Sequence, residues 1–203
     1  METADHVVSF DPGIRDVDRS DICALLQESD RVATRMHNRE VYWDAWRLYY
    51  VNCLERHGCQ WQATVTTQPL FISDNADLDS LELNIKGYSD PQALFDLAQR
   101  VLGSLGVRQF VANWLTGDGR GDARLLSWVI VPCELDRHGE ITLTTFGVQI
   151  KGRAKTTQQT PEVLMRMSGG IYVFDPAAHA PHREGIRERL RGIALRTLAQ
   201  VQL

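Results

Sequence analysis

Apolar residues recur three and four positions apart from about Asp18 to Met36, where Ile22, Leu25, Leu26, Val32, Ala33 and Met36 share one face. This spacing predicts a first helix, capped by Asp18 or Ser20. Asn38 offers a second cap, Trp46, Tyr49, Tyr50 and Cys53 follow at i, i+3, i+4 and i+7, and Gly58 supplies a stop. The chain therefore opens with a helical hairpin, preceded by residues 1–17 as a flexible segment.

From Trp61 the period changes to two. Trp61, Ala63 and Val65 alternate with polar neighbours, as do Leu81, Leu83 and Ile85, so both stretches are expected as half-buried strands. The Asp- and Asn-rich residues from Ile72 to Asp79 between them are expected as a loop. Asp90-Pro91 starts a third helix by cap and first-turn proline, carrying Leu94, Leu97, Ala98, Val101, Leu102 and Leu105 on one face. Strands are then expected over 107–115, 125–133 and 141–150, with an apolar phase shift that puts a bulge near Thr144. A short helix from Pro161 to Met167, a strand over 171–174 and a closing amphipathic helix from Pro181 to Val201 complete the expected order. In that last helix Arg183, Arg187 and Arg191 form a charged stripe, expected to face outward.

This order lacks a regular β-α alternation. The fold class it implies is α+β: an N-terminal helical hairpin, a mostly antiparallel sheet of about five or six strands packed by helices, and a C-terminal amphipathic helix. A doubly wound parallel sheet is the competing architecture. At 203 residues the chain fits a single domain over 1–203, and no repeat or linker composition divides it.

Composition changes the picture in three places. The formal net charge is −4, divided as +5 over residues 151–203 and −9 over residues 1–150, so the chain as a whole does not suit nucleic acid. The basic run Lys151, Arg153 and Lys155 would carry a nucleic-acid alternative, but no aromatic residues are interleaved with it. The N-terminus has neither a basic nor an apolar leader region, no apolar run reaches the length of a membrane span, and four sparse cysteines follow no disulfide spacing. A cytoplasmic protein without membrane contact is the expectation.

Candidate chemistry is thin. Cys53, His57 and Cys59 place three soft ligands within seven residues, but a zinc site would need a fourth and the spacing matches no paired Cys-x2-Cys pattern. A thiol-dependent hydrolase would draw on the same residues together with Cys133, with His138 nearby in sequence. The loop from Thr116 to Asp122 alternates glycine with Asp118, Arg120 and Asp122, yet a strand rather than a helix is expected after it, which argues against a dinucleotide fingerprint. Five large rings, Tyr42, Trp43, Trp46, Tyr49 and Tyr50, lie within nine residues and exceed what one helix face can bury.

No catalytic constellation is complete, and no cofactor is called for. By elimination, the expected function is a non-catalytic protein-binding module, such as an inhibitor, a toxin-immunity-type neutraliser or an adaptor. It would mask a partner surface through Tyr42, Trp43, Asp118, Arg120 and Asp122, the partner being another protein of basic character or a second copy of this chain.

Overall fold

The computed structural model of the chain describes residues 6–67, 69–72, 83–86, 125–153, 162–191 and 198–200, with single positions at 77, 92, 96, 99, 100, 103, 109 and 112. Its elements are β1 (His6–Phe10), α1 (Asp16–Met36), α2 (Trp43–Arg56), β2 (Cys59–Thr67), β3 (Leu70–Ile72), β4 (Leu83–Lys86), β5 (Leu125–Leu135), β6 (Ile141–Arg153), β7 (Glu162–Phe174), α3 (Pro176–His179), α4 (Arg183–Leu190) and β8 (Leu198–Gln200). A 3-10 turn over Ala180–His182 joins α3 to α4.

Among the described residues, eight strands form one sheet in the order β4, β2, β7, β6, β5, β1, β8, with β3 paired to β7. The fold is α+β and the sheet mostly antiparallel, as expected. β2 pairs with β4 and β3 with β7 in antiparallel register, whereas β1 and β8 run parallel, His6 opposite Leu198 and Val8 opposite Gln200.

Contacts divide the chain into two compact units. The first comprises residues 1–62, 131–145 and 170–202, the second residues 63–130 and 146–169. In the first, α1 and α2 form the expected hairpin, and Ile22, Leu25, Leu26, Trp46, Leu54, Leu143 and Ile186 are all fully buried. In the second, Ala63, Val65, Ile72, Phe146, Val148, Ile150 and Val163 are equally buried. β6 is buried at nearly every position from Ile141 to Ile150, the pattern of a central strand covered on both faces. Where the apolar phase shifts, the Thr145 hydroxyl bridges β7, accepting from the Gly170 N–H at 3.0 Å and donating to its carbonyl at 3.1 Å.

Four expectations are corrected. Residues 6–10, placed in a flexible segment, form β1, with Val7 and Val8 buried. The helix expected from Pro161 to Met167 is the start of β7: buried Val163, Met165 and Met167 alternate with more exposed neighbours, and Leu70 to Ile72 pair with this stretch. The closing helix ends at Leu190, where Arg191 turns extended, and residues 198–200 pair with β1 instead of extending the helix to Val201. Within the strand expected over 107–115, Gln109 and Ala112 are helical. The third helix expected from Asp90 agrees at its described positions, where Gln92 donates to Asp96 one turn on at 2.9 Å.

Candidate functional site

The aromatic cluster of the helical hairpin separates into a buried stack and an exposed corner. Trp46 is 0% exposed and stacks on Trp43 with ring centroids 5.5 Å apart and on Tyr50 at 5.1 Å. Its indole N–H donates to Thr34 Oγ1 of α1 at 3.0 Å. The Arg39 guanidinium lies over the Trp46 ring at 4.8 Å and the Trp43 ring at 5.6 Å, and faces Asp30 at 3.9 Å. His6 of β1 stacks on Tyr50 at 5.7 Å. Trp43, expected at a partner surface, is therefore a core residue at 7% exposure.

Tyr42 behaves in the opposite way. It is 60% exposed, beside Val41 at 66%, and Met36 at the end of α1 is 52% exposed. The corner between the helices is held by Asn38, whose Oδ1 accepts from the Glu40 and Val41 N–H groups at 2.8 and 3.1 Å. The His37 ring contacts Tyr42 edge-on at 6.1 Å and Tyr49 at 5.2 Å. Composition pointed to Tyr42, but Met36, His37 and Val41 were not singled out beside it. Met36 falls on the apolar face of α1 by spacing, yet it is exposed, because helical phase stops predicting burial in the last turn of a helix.

Of the arginine stripe of α4, Arg191 keeps the expected outer face, but Arg183 and Arg187 turn toward α1. Arg183 donates to both oxygens of Asp21 at 2.8 and 2.9 Å, and Arg187 adds a bond at 3.2 Å. The Asp21 side chain is 0% exposed. One heptad along α1, the nearly buried Glu28 accepts from Arg31 at 2.7 Å and from Arg189 at 2.6 Å. Arg191 pairs with Glu188 at 2.7 Å. The arginines of α4 are thus matched by carboxylates of the chain itself, whereas Lys151 of the basic run is exposed.

Glu28 gives a pH prediction. Burial acts to raise its pKa, and the hydrogen bonds from Arg31 and Arg189 outweigh that, so the carboxyl titrates below its ordinary value. A folded value below the unfolded one of about 4.3 means that the stabilisation is present above that pH and disappears as pH falls through the folded value. Thermal unfolding between neutral pH and pH about 3 should show a steeper fall in Tm for the wild type than for Glu28→Gln, and parallel curves would refute the assignment.

The soft-ligand cluster is not assembled for metal or nucleophilic chemistry. Cys53 Sγ stands 3.5 Å from His57 Nδ1, but that nitrogen lies 2.7 Å from the Cys53 carbonyl, to which its N–H donates, so it is not placed to take the thiol proton. Burial pushes the Cys53 thiol up, the Cys59 and Cys133 thiols further, and His57 down, so the neutral Cys53 thiol faces a neutral imidazole. The His182 ring meets His57 edge-on at 4.9 Å, and His179 Nδ1 lies 2.8 Å from the His57 carbonyl. Among the described residues, no three His, Cys, Asp or Glu side chains gather as a metal site. Gly58, at φ +104°, lets β2 start directly against His179, since a Cβ there would come within 2.8 Å of the His179 backbone nitrogen.

Asp118, Arg120, Asp122 and Lys155 lie outside the described residues. Lys151 is exposed on β6 and Arg153 ends that strand. Among the described residues, no helix is long and apolar enough to cross a membrane. No protein-family model matches the sequence, and no curated protein is similar to it. Among solved structures, the chain is similar to the Evf virulence factor, with a TM-score of 0.40 and 11% identity over 91% of this chain and 74% of that one. A likeness of that degree assigns neither family nor activity.

Proposed function

We propose that this protein is a non-catalytic binding module that masks the surface of another protein, with Tyr42 at the centre of the contact. The observation that carries this reading is the exposed corner of Met36, Val41 and Tyr42, its tyrosine ring held by His37. A tyrosine with few rotatable bonds, already braced, loses little entropy on docking and presents both an apolar ring and a hydroxyl. The buried, protonated state of Cys53, Cys59 and Cys133 argues against a thiol hydrolase. The net charge of −4 and the pairing of the α4 arginines with Asp21 and Glu28 favour a protein over nucleic acid as the partner, leaving the run at Lys151 and Arg153 as the alternative's support.

An inhibitor or a toxin-immunity-type neutraliser suits the net charge of −4, which favours encounter with a basic partner; an adaptor would use the same corner. Four free cysteines suit a reducing compartment, and we place the protein in the cytoplasm on that ground.

The test compares wild type with Tyr42→Arg as bait in the native lysate, alongside sedimentation of each purified protein. The expected result is a stoichiometric protein partner, recovered on wild type and weakened at least about tenfold on a Tyr42→Arg variant of unchanged Tm. Self-association abolished by the substitution would make the partner a second copy. Capture indifferent to Tyr42→Arg would overturn the reading.

A further inference from the structure

At the opposite end of α1, the first unit holds a cavity of about 480 Å³, bounded by the β1–α1 turn, the start of β2, the β5–β6 hairpin and the β7–α3 junction. That volume lies in the range of small-ligand sites. α1 has 21 residues, so roughly 30 Å of helix separates this cavity from the Tyr42 corner, and the two surfaces are independent.

The lining combines an apolar floor with an excess of carboxylates among the described residues. Ile14, Ile141 and Phe174 form the buried part and Leu135 stands half-exposed beside them. Among the described residues, four charged ones line the same space. Two of them, Arg15 and Asp18, neutralise each other through paired hydrogen bonds of 2.7 and 3.0 Å. The other two are carboxylates. Asp175 is fixed by accepting from the Ala177 and Ala178 N–H groups at 2.8 and 3.1 Å. The Glu140 backbone is fastened at both its N–H and its carbonyl to Asp136, and its carboxylate has no ion-pair partner among the described residues. Gly139, at φ +80°, has nothing within 4 Å of where a Cβ would stand, which leaves the rim beside Glu140 open.

We propose that this cavity binds an organic cation on an apolar stem, a guanidinium or ammonium whose alkyl chain lies on Ile14, Leu135 and Phe174 while its head meets Glu140 and Asp175. An anion would add repulsion to two carboxylates, and a purely apolar ligand would add no counter-charge for either. A cationic head on an alkyl stem satisfies both halves of the lining. The same chemistry belongs to a free alkyl amine or guanidine and to an arginine or lysine side chain of another polypeptide.

Calorimetric titration with three probes tests this on the intact protein: agmatine, the capped peptide acetyl-Gly-Arg-Gly-amide, and hexanoate as an anion of similar stem. Agmatine, the peptide or both should bind saturably and hexanoate should not. Glu140→Gln should weaken binding of the cation about fivefold or more, as removal of one charge-assisted contact requires. Leu135→Arg, which brings a resident cation to a half-exposed position, should abolish it at unchanged circular dichroism. A peptide that binds more tightly than agmatine assigns the site to a partner's side chain, and the reverse order assigns it to a free cation. Absence of saturation by either cation up to about 10 mM, binding indifferent to Glu140→Gln, or equal binding of hexanoate would overturn the proposal.

Discussion

Replacing Trp46 with alanine should cost about 3–5 kcal/mol, a large part of what holds a domain of this kind together. Three losses coincide at that residue. The indole is fully buried between Trp43 and Tyr50, so its removal opens a cavity that two flanking rings cannot collapse into without leaving their own contacts. Thr34 Oγ1 loses the hydrogen bond that ties α2 to α1. Arg39, itself buried, loses the ring face beneath its guanidinium at 4.8 Å. Trp46→Phe keeps the stacking and drops the N–H, and it should cost only about 1–2 kcal/mol. Urea unfolding followed by far-ultraviolet circular dichroism separates the two variants. Equal midpoints for both would mean that the stack contributes little beyond its hydrogen bond.

The second large effect is an asymmetry in the contact between α1 and α4. Substituting both Arg183 and Arg187 with methionine leaves Asp21 enclosed without a cation. A fully buried carboxylate deprived of its partners costs about 3–5 kcal/mol. Removing the carboxylate instead, as in Asp21→Leu, returns two partly exposed guanidinium groups to water and should lower the urea midpoint much less. Equal loss from both sides of the contact would show that packing, not charge, holds α4 in place.

The structure bears out what lies within short windows of the sequence and departs where the decisive neighbour is distant. α1 and α2 are legible because their apolar faces repeat over several turns, and β2, β5 and β6 because alternation or continuous burial persists for many residues. β1 is five residues long, and only the strands beside it reveal that Val7 and Val8 are core residues. β7 was misread at its start because Pro161 resembles a helix opening, although Val163, Met165 and Met167 already alternate. The stripe at Arg183 and Arg187 was visible, but its destination was not: Asp21 is 162 residues away from Arg183, and a carboxylate beside Ile22 reads as solvent-facing until its partner is known. Of the candidate surface, Tyr42 was legible from crowding alone, since five rings cannot share one helix face. The cavity was not, because its charged and apolar walls come from four separate segments of the chain.

The first compact unit draws on residues 1–62, 131–145 and 170–202, and β1 pairs in parallel with β8. Its sheet edge and its ion pairs from α1 to α4 therefore join the earliest part of the chain to the latest. During synthesis, the helical hairpin emerges with Asp21 and Glu28 still without the arginines of α4, and it must wait for more than 120 further residues before they arrive. Contacts of such long sequence separation make folding slow, and they leave the hairpin's apolar face short of its α4 cover until α4 has been made.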